Sequence, residues 1–251
     1  MTKTLAGKVA LVTGGSRGLG AATAEALAEQ GADVAISYVA SAAKAEAVVE
    51  KLKAKGVRAF AVRSDQADTA AAKPLVDAVM AKFGKLDILV NNAAIAVQGK
   101  SVDDRELDTV NLDRQWQVNV MGPVAVTRAA APVLSDGGRI IFIGSLLGSL
   151  VPFAGVADYA GTKAAIAGYA KGVARDLGPR NITVNTVQPG IMPTDMAADV
   201  HDKLPAGLID MHPIRRIATL EEVSATVCFL AGPHAGYMTG GVINVAGGMG
   251  I

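Results

Sequence analysis

The residues of this sequence best suited to chemistry are a tyrosine and a lysine four positions apart, Tyr159 and Lys163. Residues at this spacing share one face of a helix. A cation beside a phenol favours the phenolate and lowers the pKa of the tyrosine from its usual value of about 10. Such a tyrosine could donate or accept a proton near neutral pH, as general acid–base catalysis requires. Pairs of this kind are also common on exposed helix faces, so the interpretation needs support from other residues.

Two further polar residues give that support. Ser145 follows the apolar run 139–143, so it is predicted at the carboxyl end of a strand, where its hydroxyl could polarise a substrate carbonyl. Asn119 lies four residues before Pro123. Because proline has no N–H, the carbonyl of residue 119 loses its helical partner and could bind a water. A plain helix kink at Pro123 would leave the same carbonyl free.

A glycine-rich turn near the N-terminus predicts a dinucleotide site. Residues 13–20 read Thr-Gly-Gly-Ser-Arg-Gly-Leu-Gly and directly follow the apolar run 9–12. Glycines let the backbone approach a pyrophosphate, and the N-terminus of the following helix supplies unpaired N–H groups. Since strand, turn and helix follow in the required order, we expect cofactor contacts from Gly14, Ser16, Arg17, Gly18, Leu19 and Gly20.

Other interpretations of this turn are weaker. Residues 14–18 also fit the G-x-S-x-G pattern of hydrolase nucleophile elbows, but the dense glycine spacing would then be a coincidence, and the only candidate bases are His201, His212 and His234. A P-loop would end in Gly-Lys-Ser/Thr, which residues 13–20 lack. A glycine-rich connection without a ligand is the remaining alternative.

The end of the second predicted strand indicates the cofactor. In NAD-binding folds an acidic residue at this position binds the ribose 2′-hydroxyl, whereas here the strand ends Ile-Ser-Tyr-Val at 36–39. Arg17, with Ser37, Ser41 and Lys44, could instead receive a 2′-phosphate. Tyr38, at the same strand end, is a further expected cofactor contact. We therefore predict NADP(H) rather than NAD(H).

The ends of the third and fourth strands add further predicted contacts. Asp65, followed by Gln66, could accept a hydrogen bond from an adenine amino group, although capping a turn is nearly as good a role for it. Asn92 and Ala93 end the fourth strand. They would lie at the carboxyl edge of the sheet, where such folds bind ligands.

Apolar, strand-like runs alternate with amphipathic helical stretches along the chain. Strands are predicted at 8–13, 33–38, 57–63, 86–90, 139–143, 181–187 and 242–245, and helices at 18–30, 41–55, 70–83, 113–134, 157–177 and 220–231. Short connections between alternating elements imply βαβ crossovers, and nearly all-apolar strands imply helices on both faces of the sheet.

The expected fold is therefore α/β, with a doubly wound, Rossmann-type parallel sheet of about seven strands in a single domain over 1–251. Residues 191–216 break the alternation, because they hold three prolines and show weak periodicity. A loop of this length in a compact domain is typical of a substrate lid.

Composition argues against several classes of function. Lys+Arg number 24 and Asp+Glu 23, with no basic arm, so nucleic acid is not expected as a partner. No apolar run approaches the roughly 20 residues that span a bilayer, and the N-terminus does not read as a signal peptide. The single cysteine, Cys228, fits a reducing compartment. We expect a cytoplasmic protein without a membrane partner and, since the histidines lack ligand spacing, without a metal.

Taken together, these residues resemble the short-chain dehydrogenase/reductase family over nearly the whole chain. The matching set consists of the glycine turn at 13–20, Asn91-Asn92-Ala93, Asn119, Ser145, Tyr159-x-x-x-Lys163 and Pro189-Gly190. The resemblance implies hydride transfer between a nicotinamide and a substrate carbon, which interconverts a ketone and a secondary alcohol. It also implies a homotetramer, the commonest assembly in the family.

The resemblance assigns a role to each matching residue. Tyr159 would protonate the carbonyl oxygen and Ser145 would hold it. Lys163 would bind the nicotinamide ribose and lower the pKa of Tyr159, and Asn119 would hold a water in a proton relay that reaches Lys163. The remaining contacts to the nicotinamide end would come from Pro189, Gly190, Ile191 and Thr194.

The sequence departs from the family pattern in three ways. Ala94 stands where a glycine is usual, and fourteen positions separate Ser145 from Tyr159 where thirteen is commoner. Residues 246–248 read Ala-Gly-Gly in place of the frequent Asp-Gly-Gly. These differences put the turn geometry and a subunit contact in question, not the chemistry.

Two other functions stay open. One is a 3-oxoacyl-[acyl-carrier-protein] reductase, whose docking of an acidic carrier would need cations near the site. Arg180 could serve, but the turn at 135–138 carries Asp136, which favours a free ketone. The other is a non-catalytic nucleotide-binding regulatory protein; because all four residues of the catalytic set are present, an enzyme is predicted.

Overall fold

Strands and helices alternate along the chain in the computed structural model, which describes residues 3–193 and 207–250. The strands are β1 Val9–Val12, β2 Asp33–Tyr38, β3 Ala59–Arg63, β4 Leu86–Asn91, β5 Leu134–Ile143, β6 Thr183–Pro189 and β7 Val242–Val245. The helices are α1 Gly18–Glu29, α2 Ala42–Ala54, α3 Ala72–Phe83, α4 Thr109–Trp116, α5 Gly122–Ala130, α6 Ala157–Leu177 and α7 Leu220–Ala231. A π-helical turn, Gln117–Met121, joins α4 directly to α5.

All these strands pair in parallel, in the order β3-β2-β1-β4-β5-β6-β7. The predicted doubly wound α/β fold is confirmed. The strand order reverses between β1 and β4, where Ala10 lies opposite Ile88 and Val12 opposite Val90. In open α/β sheets the crevice at such a reversal, beyond the carboxyl ends of the strands, is where ligands bind.

The core lies on both faces of the sheet. One apolar cluster includes Val12 of β1 with Leu27 of α1 and Val227 of α7. The other includes Leu11 of β1 with Ile166 of α6. Because neighbouring residues of the central strands β1 and β4 are all buried, on opposite faces, these strands read as continuous apolar runs rather than as alternating ones.

The predicted helix over 113–134 has the wrong bounds and an interruption. Its helical part begins earlier, passes through the π-helical turn and ends at Ala130, and Leu134 already opens β5. Residues 135–138, which read as a turn, lie inside β5 as an irregularity. Leu86 of β4 pairs with Leu134, but Ile88 pairs with Arg139, so the intervening residues of β5 are extra to the ladder.

The segment predicted as a lid, 191–216, is described only in part, because 194–206 lie outside the described residues. The part after it packs on the C-terminal segment, where the Ile214 N–H donates to the Gly247 carbonyl oxygen at 3.0 Å. In the described ranges, no helix is long and apolar enough to cross a membrane. Within the same ranges, no group of three or more His, Cys, Asp or Glu side chains is placed to hold a metal ion.

Candidate active site

The glycine turn between β1 and α1 is fixed by residues at the end of β4. The Thr13 hydroxyl accepts hydrogen bonds from the backbone N–H groups of Asn92 (3.0 Å) and Ala93 (3.1 Å). The Asn92 side-chain amide donates to the carbonyl oxygens of Thr13 (2.8 Å) and Gly14 (3.3 Å). A Cβ on Gly20 would overlap the Gly14 carbonyl oxygen and lie 2.5 Å from Asn92 Nδ2. Glycine at position 20 is therefore needed to close the turn.

The end of β2 supports the same turn. The buried Ser37 hydroxyl accepts a hydrogen bond from the Gly14 N–H at 3.3 Å, and the Ser37 carbonyl accepts one from the Gly15 N–H at 2.9 Å. The sequence suggested Ser37 only as a phosphate ligand and gave no sign of this structural role. Arg17, which is exposed, is the N-cap residue of α1.

A cavity of about 380 Å³ runs along the carboxyl edge of the sheet from this turn to α6. Its charged lining residues are Arg17, Asp65, Arg114 and Lys163, a balance that favours an anionic ligand. Most of the residues predicted from the sequence line it, namely Gly14, Ser16, Arg17, Gly18, Leu19, Gly20, Ser37, Tyr38, Asp65, Gln66, Asn92, Ala93, Ser145, Tyr159, Lys163, Pro189 and Gly190.

Three predicted residues are not among those that line the cavity. Ile191 packs against the small apolar cluster around Leu146, Asn119 is buried, and Thr194 lies outside the described residues. Conversely, several lining residues carried no motif that could have revealed them, and most are apolar or small: Val39, Ala40, Ser64, Ile95, Arg114, Val118, Ile143 and Gly144.

Asp65 is engaged by groups of the protein itself. Its Oδ1 accepts a hydrogen bond from the Ala67 N–H at 2.9 Å, and its carboxylate lies 3.0 Å from the Arg114 guanidinium. The Ala67 hydrogen bond and the Arg114 partner hold the pKa of Asp65 below its usual value. The turn-capping role is therefore the one seen here, and the adenine contact stays a prediction.

Helix α6 presents Tyr159 and Lys163 to the cavity from one face, as their spacing predicted. The Lys163 ammonium donates to the Ile143 carbonyl oxygen at 3.0 Å and lies 5.6 Å from the centre of the Tyr159 ring. Ser145 follows the same strand, β5, and its hydroxyl accepts a hydrogen bond from the Leu147 N–H at 3.2 Å. The end of β5 thus fixes both Ser145 and Lys163 relative to the tyrosine.

Burial shifts both α6 groups toward their neutral forms. It raises the pKa of Tyr159, although a hydrogen bond with the Ser145 side chain opposes the rise. It lowers the pKa of Lys163 from 10.5 to about 8. The net direction for the Tyr159 pKa is the opposite of the one that a neighbouring cation alone would give, because desolvation dominates, and the contribution of Lys163 itself stays a prediction. At neutral pH the tyrosine keeps its proton, the state that a proton donor needs.

Asn119 lies in the π-helical turn, and its side chain ties three segments together. Its Oδ1 accepts from the Ile95 N–H and its Nδ2 donates to the Ile95 carbonyl oxygen, both at 2.9 Å. Nδ2 also donates to the Thr162 hydroxyl at 3.2 Å, and that hydroxyl donates to the Tyr159 carbonyl oxygen at 2.7 Å. The sequence indicated a role only for the Asn119 backbone carbonyl, since a buried amide contact leaves no periodic signal.

Comparison with known proteins gives the family. A family model described as "Enoyl-(Acyl carrier protein) reductase" matches residues 14–250. A short-chain dehydrogenase from Burkholderia cenocepacia, solved in complex with NADP, is 45% identical with a TM-score of 0.93, over 99% of this chain and 100% of that one. The chain belongs to the short-chain dehydrogenase/reductase family. It is an oxidoreductase, as the sequence predicted.

Two relatives of this short-chain dehydrogenase/reductase differ in the function that their names state. The 3-oxoacyl-[acyl-carrier-protein] reductase FabG of Staphylococcus aureus is 40% identical over 244 residues, which cover 96% of this chain and 98% of the relative. The cyclic-di-GMP-binding biofilm dispersal mediator protein of Escherichia coli is also 40% identical over 244 residues, covering 97% of this chain and 98% of the relative. Similarity alone therefore does not choose between these functions.

The departures from the family pattern are accommodated in this short-chain dehydrogenase/reductase. Within the described ranges, Asn181 is the only non-glycine residue with a positive φ, so the backbone at Ala94 is one that alanine readily adopts. Ala246 packs so closely below the cavity edge that a Cβ on Gly190 would lie 3.0 Å from its Cα. Gly247 and Gly248 have φ of +60° and +83°, which explains glycine at both positions.

Arg180 and Asp136, on which the sequence argument about a carrier protein depended, lie where β6 and β5 begin. This is the amino edge of the parallel sheet, opposite the cavity. The Arg180 guanidinium donates to Asp136 Oδ1 at 2.8 Å and to the carbonyl oxygens of Ala131 (2.7 Å) and Leu134. Because the two charges neutralise each other far from the cavity, Asp136 gives no reason to favour a free ketone.

Proposed function

We propose that this chain is a carbonyl reductase, which reduces a ketone to a secondary alcohol with NADPH or catalyses the reverse oxidation with NADP. One observation carries the proposal. A single cavity is lined both by the glycine turn at the start of α1 and by Ser145, Tyr159 and Lys163. A dinucleotide with its pyrophosphate on the turn would extend along the sheet edge to these three side chains.

The residues present fit NADP(H). The N-terminus of α1 offers backbone N–H groups and a partial positive charge to a pyrophosphate, with Arg17 at that terminus. The described lining residues from the end of β2 are Ser37, Tyr38 and Val39, so no carboxylate there would repel a 2′-phosphate. The NADP bound to the Burkholderia cenocepacia relative supports the same assignment.

The chain's own residues handle the substrate oxygen and its proton, while the bound cofactor would supply or accept the hydride. The Ser145 hydroxyl would hydrogen-bond to the carbonyl oxygen and the Tyr159 hydroxyl would protonate it. Lys163 would bind the nicotinamide ribose. Its pKa of about 8 is close to the range in which it can return a proton to Tyr159. The Asn119 carbonyl would hold the water that resupplies Lys163.

The test is NADPH and NADH oxidation by the purified protein with a panel of ketones, diketones and 3-oxoacyl thioesters, compared with its Tyr159→Phe variant. Loss of the proton donor should lower kcat by about 10²–10⁴-fold, while the dissociation constant for NADPH stays unchanged. Tyr169→Phe is the matched control, since Tyr169 is on the same helix and packs edge-on against Phe142, 6.0 Å between ring centres. A Tyr159→Phe variant with the kcat of the wild type would refute the assignment.

The similarity to FabG favours one alternative, reduction of a 3-oxoacyl group delivered by acyl carrier protein. The same 3-oxoacyl chain should then be measured on the carrier protein and on a short thiol. A kcat/KM at least about ten times higher on the carrier, equivalent to roughly 1.4 kcal/mol of extra transition-state binding, would favour the carrier-dependent enzyme. Equal values would favour a free ketone or thioester.

The similarity to the cyclic-di-GMP-binding protein favours another alternative, a regulatory protein that binds a nucleotide without catalysis. The same panel separates it from an enzyme. NADPH binding without turnover of any substrate would support regulation, whereas turnover that is lost in Tyr159→Phe would exclude it.

We also propose a homotetramer, in which α6 packs against its counterpart in a second copy. Gly168 and Gly172 are exposed on α6, and a Cβ on either would meet nothing within 4 Å, so a second helix could approach closely. Val110 of α4 and Met121 of the adjoining turn are 77% and 42% exposed, which adds apolar surface for the contact. Residues 1–251 would act as one dinucleotide-binding and catalytic domain with a substrate lid near 191–216, in the cytoplasm.

A further inference from the structure

The segment that follows β4 forms one wall of the cavity and is tied down at alternate residues. Ala94 and Ile95 line the cavity. Along residues 94–99, which we call the wall segment, Ile95 is held by Asn119 and Val97 by a side chain of α4. The Gly99 N–H donates to the Gly155 carbonyl oxygen at 2.8 Å. The wall segment therefore spans from the end of β4 to the loop that follows Ser145.

The middle tie is made by Gln115, a glutamine with no exposed surface. Its Oε1 accepts a hydrogen bond from the Val97 N–H at 2.5 Å. Its Nε2 is also buried and has no hydrogen-bond partner among the described residues. Leaving a buried amide donor unpaired costs free energy that an apolar side chain of similar volume would not. The compensating gain visible in the structure is the hold on Val97.

Gln115 and Asn119 are four residues apart, so they reach the wall segment from one face of the same helical stretch. Asn119 is also bonded to Thr162 of the helix that carries Tyr159. Movement of the wall segment would therefore change the distance between that wall and the substrate oxygen that Tyr159 would protonate. Gln115 itself is not among the residues that line the cavity.

We propose that Gln115 is a positioning residue that fixes the substrate-side wall of the site through Val97, and that it sets the selectivity for ketones large enough to reach this wall. The inference rests on the proposed ketone reduction. It assigns a role in substrate choice to a buried glutamine on α4 that does not itself line the cavity.

The test compares two substitutions of similar volume. Gln115→Leu removes the acceptor for the Val97 N–H together with the unpaired donor, whereas Gln115→Glu keeps an oxygen acceptor in either protonation state. For bulky ketones, Gln115→Leu should lower kcat/KM by about 10- to 100-fold, the range expected when a wall of the site is misplaced. The KM for NADPH and the kcat/KM for the smallest ketone should change by less than about two-fold, and Gln115→Glu should restore most of the loss.

Thr127→Val is the control for a purely structural effect. Thr127 is fully buried and accepts a hydrogen bond from the Asn91 side-chain amide at 3.1 Å, so its loss should lower Tm without changing the ratio of bulky to small ketones. Gln115→Leu should instead change that ratio with little loss of Tm, because the unpaired Nε2 disappears even though the Val97 N–H loses its acceptor. If Gln115→Leu only lowers Tm and leaves the ratio unchanged, Gln115 is a structural residue and the proposal is overturned.

Hydrogen exchange provides a readout that does not depend on turnover. Amides in a peptide covering 93–100 should exchange faster in Gln115→Leu than in the wild type, with protection recovered in Gln115→Glu. If the wild type reduces ketones and exchange is unaffected by Gln115→Leu, the positioning role fails and the proposed function stands. If the wild type reduces no ketone, the proposed function and the proposed role of Gln115 in selectivity both fail. Faster exchange in Gln115→Leu would then still support the hydrogen bond between Gln115 and Val97.

Discussion

Replacing the buried Lys163 by methionine should stabilise the protein at neutral pH while it removes catalysis. Lys163 is 4% exposed, and the hydrogen bond of its ammonium in the described structure is to the Ile143 carbonyl oxygen. Burial lowers its pKa from 10.5 to about 8. Burial in the folded protein therefore disfavours the charged form of Lys163. Removing this charge should raise the free energy of unfolding.

The sign and size of the effect follow from the two pKa values. The unfolded chain binds the Lys163 proton more tightly than the folded chain, so stability rises with pH between the folded pKa of about 8 and the unfolded pKa of 10.5. At pH 7 both states are protonated and the folded state carries the full cost of roughly 3 kcal/mol. At pH about 9.5 the folded lysine is neutral and the cost falls to less than half of that value.

Urea unfolding of the ligand-free wild type and of Lys163→Met at these two pH values tests this reasoning. The lost bond to Ile143 offsets about 1–2 kcal/mol, so the variant should be more stable at pH 7 by roughly 1–2 kcal/mol. Since methionine does not titrate, the free energy of unfolding of the wild type should rise by about 2 kcal/mol relative to that of the variant between the two pH values. Lys171→Met, at an exposed lysine of the same helix, should show no such change. Parallel pH dependences of wild type and Lys163→Met would refute the argument.

Three further predictions concern the cofactor and the assembly. Arg17→Ala should raise the KM for NADPH about ten- to a hundredfold, the worth of a charge-assisted hydrogen bond, and leave the KM for NADH nearly unchanged. Tyr38→Asp should reverse the cofactor preference. If Arg17→Ala weakens both cofactors equally, Arg17 is only a turn residue. Gly20→Ala should weaken NADPH binding by at least about tenfold in a fluorescence titration, because the Cβ would collide with the Gly14 carbonyl in a close-packed turn; unchanged affinity would contradict that geometry. Light scattering at micromolar concentration should give the mass of a tetramer, and Gly172→Arg should reduce it; a monomeric wild type would contradict the proposed packing of α6.

The bounds of α6, α7, β2 and β7 agree with the prediction. Glycine or polar residues mark several of these ends: Gly178 follows α6, Thr219 and Gly232 flank α7, and Gly241 precedes β7. The π-helical turn at 117–121 escaped notice, since a helix with one extra residue in a turn keeps nearly the same apolar pattern. The start of β5 was missed because Ser-Asp-Gly-Gly at 135–138 is typical of a turn, and only the pairing of Leu134 with Leu86 of β4 shows that the strand begins before it.

The candidate site was predictable where chemistry is carried by motifs and not where it depends on contacts between distant segments. Tyr159, Lys163 and Ser145 are brought together as their positions at one sheet edge implied. Ser37 and Asn92 support the glycine turn, and Arg114 holds Asp65. These contacts join segments far apart in the sequence, which spacing does not encode. The pKa of Tyr159 was predicted in the wrong direction because the sequence shows the neighbouring cation but not the burial of both groups.

The attachment of Lys163 to the end of β5 also has a consequence for engineering. Because Ser145 follows this strand and Lys163 is anchored to it through Ile143, the proposed reacting groups belong to the sheet and its adjoining helix, whereas 94–99 and 146–156 are connections, joined to each other by the hydrogen bond from the Gly99 N–H to the Gly155 carbonyl oxygen. Grafting those two connections from a relative with another substrate should retarget the enzyme without rebuilding its proton chemistry. The same division suggests where directed evolution would find altered substrate range most readily, in the connections rather than in the scaffold that holds the tyrosine.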